Sequence, residues 1–212
     1  PEPRAVHGPR PVRGLRCLPV EPQPLQLRRQ QPSDLVGPER ADANVQDREG
    51  GALLDTIRFE LDASTVDRSR VSGLVTAGIW LRTSRLDFPA TGWNDFAVLI
   101  LSAWADASLR LRRNEARSSR VDFMDGPYHV EISLAAPNKW RLALVNTRQS
   151  GRTQSELTVE SDRLIESLAE TSATLLAICE QRGWKTQDFD RLAGLVPLLR
   201  DEARGSKHGK LT

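Results

Sequence analysis

"FMDGPYHVEI", Phe123 to Ile132, is the stretch whose reading decides the fold. It holds the only Met and the only Tyr of the chain and one of its 3 His, gathered around Asp125-Gly126-Pro127. Rare residues so concentrated invite an active-site reading, but Asp-Gly between two alternating runs is first of all a hairpin signal, because the favoured turn needs positive φ at both central positions. With Asp125-Gly126 as the loop, Met124 faces Pro127, Phe123 faces Tyr128, Asp122 faces His129, Val121 faces Val130 and Arg120 faces Glu131. Val121, Phe123, Tyr128 and Val130 then share one face. Asp122 with His129 and Arg120 with Glu131 form complementary cross-strand pairs on the other, solvent-facing side. The turn accounts for these residues without any chemistry.

Working outward, "PNK" reads as a loop from Pro137 to Lys139 that pairs Ala136 with Trp140, Leu134 with Leu142 and Ile132 with Leu144. A shorter loop would set Leu134 against Arg141 and is rejected for that reason. A polar loop, "TRQSGRTQ", leads to a fifth or edge strand at "ELTV". Upstream, "TIRFELD" alternates Ile57, Phe59 and Leu61 with charged residues, the period of a half-buried strand. After the loop "ASTVDRSR", the run "VSGLVTAGIWLRT" reads as a central strand, with Gly73 and Gly78 marking bulges or close packing.

A helix follows, with Trp93, Phe96, Ile100, Ala103, Trp104, Ala107 and Leu111 on one stripe, Thr91 or Asn94 as its cap, and Asp95 in its first turn. Two helices close the chain. Ser161 is the expected cap of the first, which carries Cys179 on its apolar face and ends at Gly183; Thr186 caps the second, which Pro197 should kink or end early. The expected class is α+β: an antiparallel meander of four to five strands with one inserted helix and two C-terminal helices on one face, in the order β-β-α-β-β-(β)-α-α, over residues 54–203.

Residues 1–53 read differently. Of 13 Pro in the chain, nine fall at positions 1, 3, 9, 11, 19, 22, 24, 32 and 38, and the first fifty residues contain no aromatic side chain. Such a segment buries too little apolar area to offset its chain entropy, so it is expected to be disordered. Its Arg/Pro/Gln mixture also suits a mis-assigned gene start, with a natural flexible tail or a ligand for a Pro-binding domain as alternatives. The tail 204–212 is expected to fray.

Charge is balanced at +2 overall, which argues against duplex nucleic acid or an anionic membrane as the main partner. Two Cys, at 17 and 179, offer neither a disulfide framework nor a metal pair, and a reducing cytoplasm is the default setting. No zinc, calcium or phosphate-loop spacing occurs, so no cofactor and no metal is expected. The run "RLRRNEARSSR" holds five Arg, but three sit where a helix C-terminus favours cations. Asp87, Asp95 and Asp125 bracket "FPATGWNDF" and "MDGPY" and could meet at one end of the sheet. With His129, Asp95 and Asp125 form the alternative reading, a small hydrolase or ligand-binding enzyme.

"FPATGWNDF" (88–96) followed by "FMDGPY" (123–128) resembles a group of short bacterial proteins that share a Phe-Pro…Trp-x-Asp-Phe segment and an Asp-Gly-Pro-Tyr turn. Some small proteins of this kind are immunity proteins that neutralise contact-delivered toxins. The resemblance spans about residues 54–200 and implies no catalytic residues. The resulting expectation is a bacterial, cytoplasmic protein-binding module, immunity-like, without membrane attachment. Its contacts are sought at Trp93, Asp95, Asp125 and Tyr128, or at Arg112 and Arg113 if the partner is acidic. The partner's identity and the oligomeric state stay open at this level.

Overall fold

The computed structural model describes residues 54–149 and 152–208. These belong to one unit, Glu49–Thr212. The expected disordered segment 1–53 and the end of the tail, 209–212, lie outside the described residues. The elements run β1 (Ile57–Arg68), β2 (Val75–Thr83), β3 (Asp87–Phe88), β4 (Asn94–Asp95), α1 (Ala97–Arg112), β5 (Ser118–Phe123), β6 (Tyr128–Ala136), β7 (Lys139–Asn146), β8 (Arg152–Glu160), α2 (Ser161–Gln181) and α3 (Gln187–His208).

The protein is α+β, with its strands in two antiparallel sheets of four. One sheet is β1-β2-β3, with β4 also on β2; the other is the meander β5-β6-β7-β8. Backbone contact between them comes at Asp55, whose N–H donates to the Thr158 carbonyl at 2.8 Å. The Asp55 carboxylate accepts the Thr158 N–H in return at 3.2 Å. Beyond that point β8 gives way directly to α2, and the helix continues along the edge of β1 that the sheet leaves open. Ser167 Oγ accepts the Phe59 N–H at 2.9 Å, Thr171 Oγ1 donates to the Phe59 carbonyl at 3.4 Å, and Arg182 donates to the Val66 carbonyl. An exposed edge is a template for mispairing. Here helix side chains satisfy it instead.

The core explains why α1 is apolar on nearly every side. It lies against β2 and β5, with α2 beside it and α3 packed on it, so Val98, Ile100, Leu101, Trp104, Leu109 and Leu111 are all buried. Trp104 meets Phe59 edge to face, ring centroids 5.1 Å apart. Of the two C-terminal helices, α2 contacts the strands, whereas α3 packs on α1 and α2.

The hairpin register agrees residue for residue with the expected one, from Arg120 opposite Glu131 to Phe123 opposite Tyr128. Its turn differs. Residues 124–127 all lie outside the strands, and neither Asp125 nor Gly126 has positive φ. Gly126 is needed for space: a Cβ there would stand 2.8 Å from Trp93 Cζ2.

The next turn corrects the expected loop at "PNK". Ala136 pairs with Lys139, leaving Pro137-Asn138 as the loop with Asn138 at φ 56°. A register shift between Leu134 and Ala136 then brings Leu134 opposite Trp140 and Ile132 opposite Leu142. The bulge removes the Leu134–Arg141 clash that had argued against so short a loop.

Four further expectations change. The "loop" after Leu61 is strand, because β1 runs on to Arg68 through a bulge between Asp62 and Asp67. Gly78 lies opposite that irregularity, where a Cβ would come within 3.2 Å of Thr65 Oγ1. Asn94 and Asp95 form β4 rather than a first helical turn, and α1 starts from Phe96 without a side-chain cap. Ser161 does not cap α2; it is buried, and its Oγ accepts from Arg112 at 3.0 Å. Finally, α3 continues through Pro197 to His208. Pro197 is itself exposed, and buried Val196, Leu199 and Ala203 anchor the helix on both sides of it. Gly183 at φ 68° and the Thr186 cap on Phe189 N–H at 3.2 Å are as expected.

Ser167→Ala would leave the Phe59 N–H buried without its acceptor. Denaturant unfolding should show a loss of about 1–3 kcal/mol, with the m-value unchanged.

Candidate functional site

The two motif segments do meet, and Asp95 joins them. Its carboxylate is 1% exposed and receives three N–H groups. Oδ1 accepts from Phe96 at 2.7 Å; Oδ2 accepts from the Trp93 indole at 3.2 Å and from the Asp125 backbone, across the junction, at 3.2 Å. The place of Asp95 two residues before α1, with Oδ1 on the Phe96 N–H at the helix start, adds the favourable field of a helix N-terminus. A buried carboxylate without such partners would be costly. Asp95 is therefore a tie between loop, helix start and hairpin turn.

Aromatic rings complete the junction. Trp93 packs edge to face on Tyr128 at 5.0 Å, Tyr128 on Phe88 at 5.6 Å, and Phe88 on Phe123 at 5.7 Å. Gly126 fits beneath the Trp93 ring for the reason given above. What the junction leaves facing outward is the tip: Asp125 is exposed, and Met124 is 49% exposed.

Asp87, the third carboxylate of the segments, belongs to a different arrangement. It pairs with Arg82 at 3.2 Å and accepts from Thr91 Oγ1 at 2.6 Å. The Thr91 hydroxyl and then the Arg82 guanidinium hold its carboxyl below the usual range. Arg82 also reaches Glu60 at 3.4 Å, which Arg58 holds at 2.6 Å, so a charged ladder crosses the outer side of this sheet.

His129 is not the surface residue expected. It is 4% exposed, lies opposite Val145, and its Nε2 stands 3.5 Å from the Glu131 carboxylate, while Nδ1 has no partner among the described residues. Asp122, its register partner, is taken by Arg120 at 2.9 Å. Arg120 thus pairs with Asp122 along its own strand, and the Glu131 carboxylate opposite it adds a smaller attraction. The long Arg120 side chain reaches its same-face neighbour two positions away, and the short imidazole remains covered. No hydrogen bond or ion pair among the described residues links Asp95, Asp125 and His129 as acid and base. No group of three or more His, Cys, Asp or Glu among them could hold a metal ion. Cys179 is a buried thiol whose pKa burial pushes up, which makes it a poor nucleophile.

The Arg112 side chain is only 12% exposed. It binds Asp162 at 2.5 Å and Asn138 Oδ1 at 2.8 Å, in addition to Ser161, joining the end of α1 to the β6–β7 turn and the start of α2. Arg113 pairs with Glu202 of α3 at 3.1 Å. Both therefore serve the fold. Of the expected contact residues, Trp93, Asp125 and Tyr128 surround the exposed tip, and Asp95 supports it from inside. Met124, noted in the sequence as the single Met of the chain but assigned only to the turn, joins them as the exposed side chain at the tip.

Comparison with known proteins adds nothing to this geometry: no protein-family model, no curated protein and no solved structure matches the chain. No described helix is long and apolar enough to cross a membrane.

Asp95→Ala would strand three N–H donors and should cost about 3 kcal/mol or more in denaturant unfolding. Asp95→Asn keeps an acceptor and should cost clearly less. Gly126→Ala should cost about 1–3 kcal/mol through its collision with the Trp93 ring, and Trp93→Leu in the same chain should relieve part of that loss.

Proposed function

We propose that this chain is a protein-binding module whose contact surface is the Met124–Pro127 turn with the neighbouring Trp93 and Tyr128 rings. The observation that carries the reading is an exposed tip, Met124 beside Asp125, on a rigid mount. Met124 is half exposed, while Asp95 holds the adjacent backbone N–H and Trp93 packs directly against Gly126. A turn fixed in this way loses little conformational freedom on docking, and a flexible thioether adapts to the surface it meets. Catalysis would ask for an acid–base pair, and the carboxylate best placed for one, Asp95, has its oxygens engaged by backbone and indole N–H groups.

The resemblance in the two motif segments supports a narrower form: an immunity-type inhibitor of bacterial origin that occupies a toxin in the cytoplasm. A buried free thiol at Cys179 suits a reducing compartment.

The test is capture by the full tagged chain from lysates of the source bacterium and its competitors. One protein should be retained through a salt wash in near-equal amount. Met124→Glu should abolish its retention, whereas Arg200→Glu, on the exposed side of α3, should not. Retention of no protein above background, or equal retention by Met124→Glu, would refute the reading.

A further inference from the structure

Three of the four long sheet edges are occupied. The free side of β1 is covered by α2, β2 carries β3 and β4, and β8 is engaged by Asp55 and by Arg85, which donates to the Glu156 carbonyl at 3.1 Å. The fourth is β5, which pairs with β6 alone. Leu134 N–H donates to the Arg117 carbonyl at 3.2 Å, so by the alternation of an antiparallel ladder residues 119, 121 and 123 point their backbone groups at β6, and Ser118, Arg120 and Asp122 point theirs away. No described residue bonds to these outward groups, and all three residues are exposed.

We infer that β5 pairs with β5 of a second copy of this chain, antiparallel about a two-fold axis, in the register that sets Arg120 opposite Asp122 of the other copy and Asp122 opposite its Arg120. The choice of occupant rests on charge complementarity. Arg120 and Asp122 project on the same side of the strand, with side chains 55% and 54% exposed, and already attract each other within one chain at 2.5 Å. A two-fold pairing repeats any cross-strand contact twice, so this register makes two opposite-charge pairs at once. Slipping one way sets Arg120 against its own copy. Slipping the other way sets Asp122 against its own copy and leaves Arg120 opposite Met124, without a charged partner. The strand is thus self-complementary in one register, and pairing in it would satisfy the outward backbone groups by continuing the β5–β8 sheet into that of the second copy.

Strand-edge pairing of this length buries less than the roughly 1,200 Å² of a stable interface, so the dimer should form and dissociate with concentration. Sedimentation velocity of the full chain over a concentration series is the test, and it needs no binding partner, so its outcome is separate from that of the capture experiment. A dimer fraction rising with concentration is expected. Asp122→Arg alone and Arg120→Asp alone should each weaken it about ten-fold, and R120D/D122R together should restore it. Circular dichroism checks that each variant folds. A chain that stays monomeric at every concentration, a dimer indifferent to the single substitutions, or a double variant as weak as either single one would overturn the inference.

Discussion

Much of this architecture turns on one buried carboxylate. Asp95 lies at the end of β4, where the sheet that carries β2 hands the chain to the central helix. From there its Oδ2 reaches across to the turn of a hairpin belonging to the other sheet. Each donor it receives would lose its acceptor if the carboxylate were removed. Around this tie the aromatic series Trp93, Tyr128, Phe88 and Phe123 packs edge to face. The polar tie sets direction, and the rings supply the apolar area.

A second constraint works at the opposite margin of the sheets. β8 runs into α2 without a connecting loop, and α2 takes over the edge of β1 just past the point where β8 touches Asp55. The exchange of a strand neighbour for a helix neighbour explains why Ser167 and Thr171, polar residues on an otherwise apolar helix side, are retained there. They provide an acceptor and a donor to the backbone of Phe59. Arg112 performs a similar service among α1, α2 and the β6–β7 turn. Side chains that look in one dimension like candidates for an acidic partner are spent on holding elements together.

The distribution of charge follows from this economy. Arg112, Arg113, Arg82 and Arg85 all have carboxylate partners within the fold, so a count of cations in the run 110–120 overstates what is available at the surface. What the surface does offer is a fixed turn with an exposed Met and an edge strand with alternating opposite charges.

The sequence by itself determined the class of fold, the hairpin register and most of the core, because those depend on period and on local turn chemistry. Phe123 can face Tyr128 only if Val121 faces Val130, and the alternation of four residues settles that. Gly183 and Thr186 likewise act within a few residues of themselves. Only the tertiary structure decided the rest. The division into two sheets depends on a helix competing with a strand for the edge of β1, a contact 108 residues apart in the chain. The bulge before Ala136 and the loop at Pro137-Asn138 were settled by where Leu134 and Trp140 must pack. Asp95 read as a helix-start charge until Trp93 and Asp125 were brought to it from either side, and His129 read as exposed until its surroundings covered it. The meaning of a polar residue is set by which donors and acceptors arrive from elsewhere, and that information is long-range.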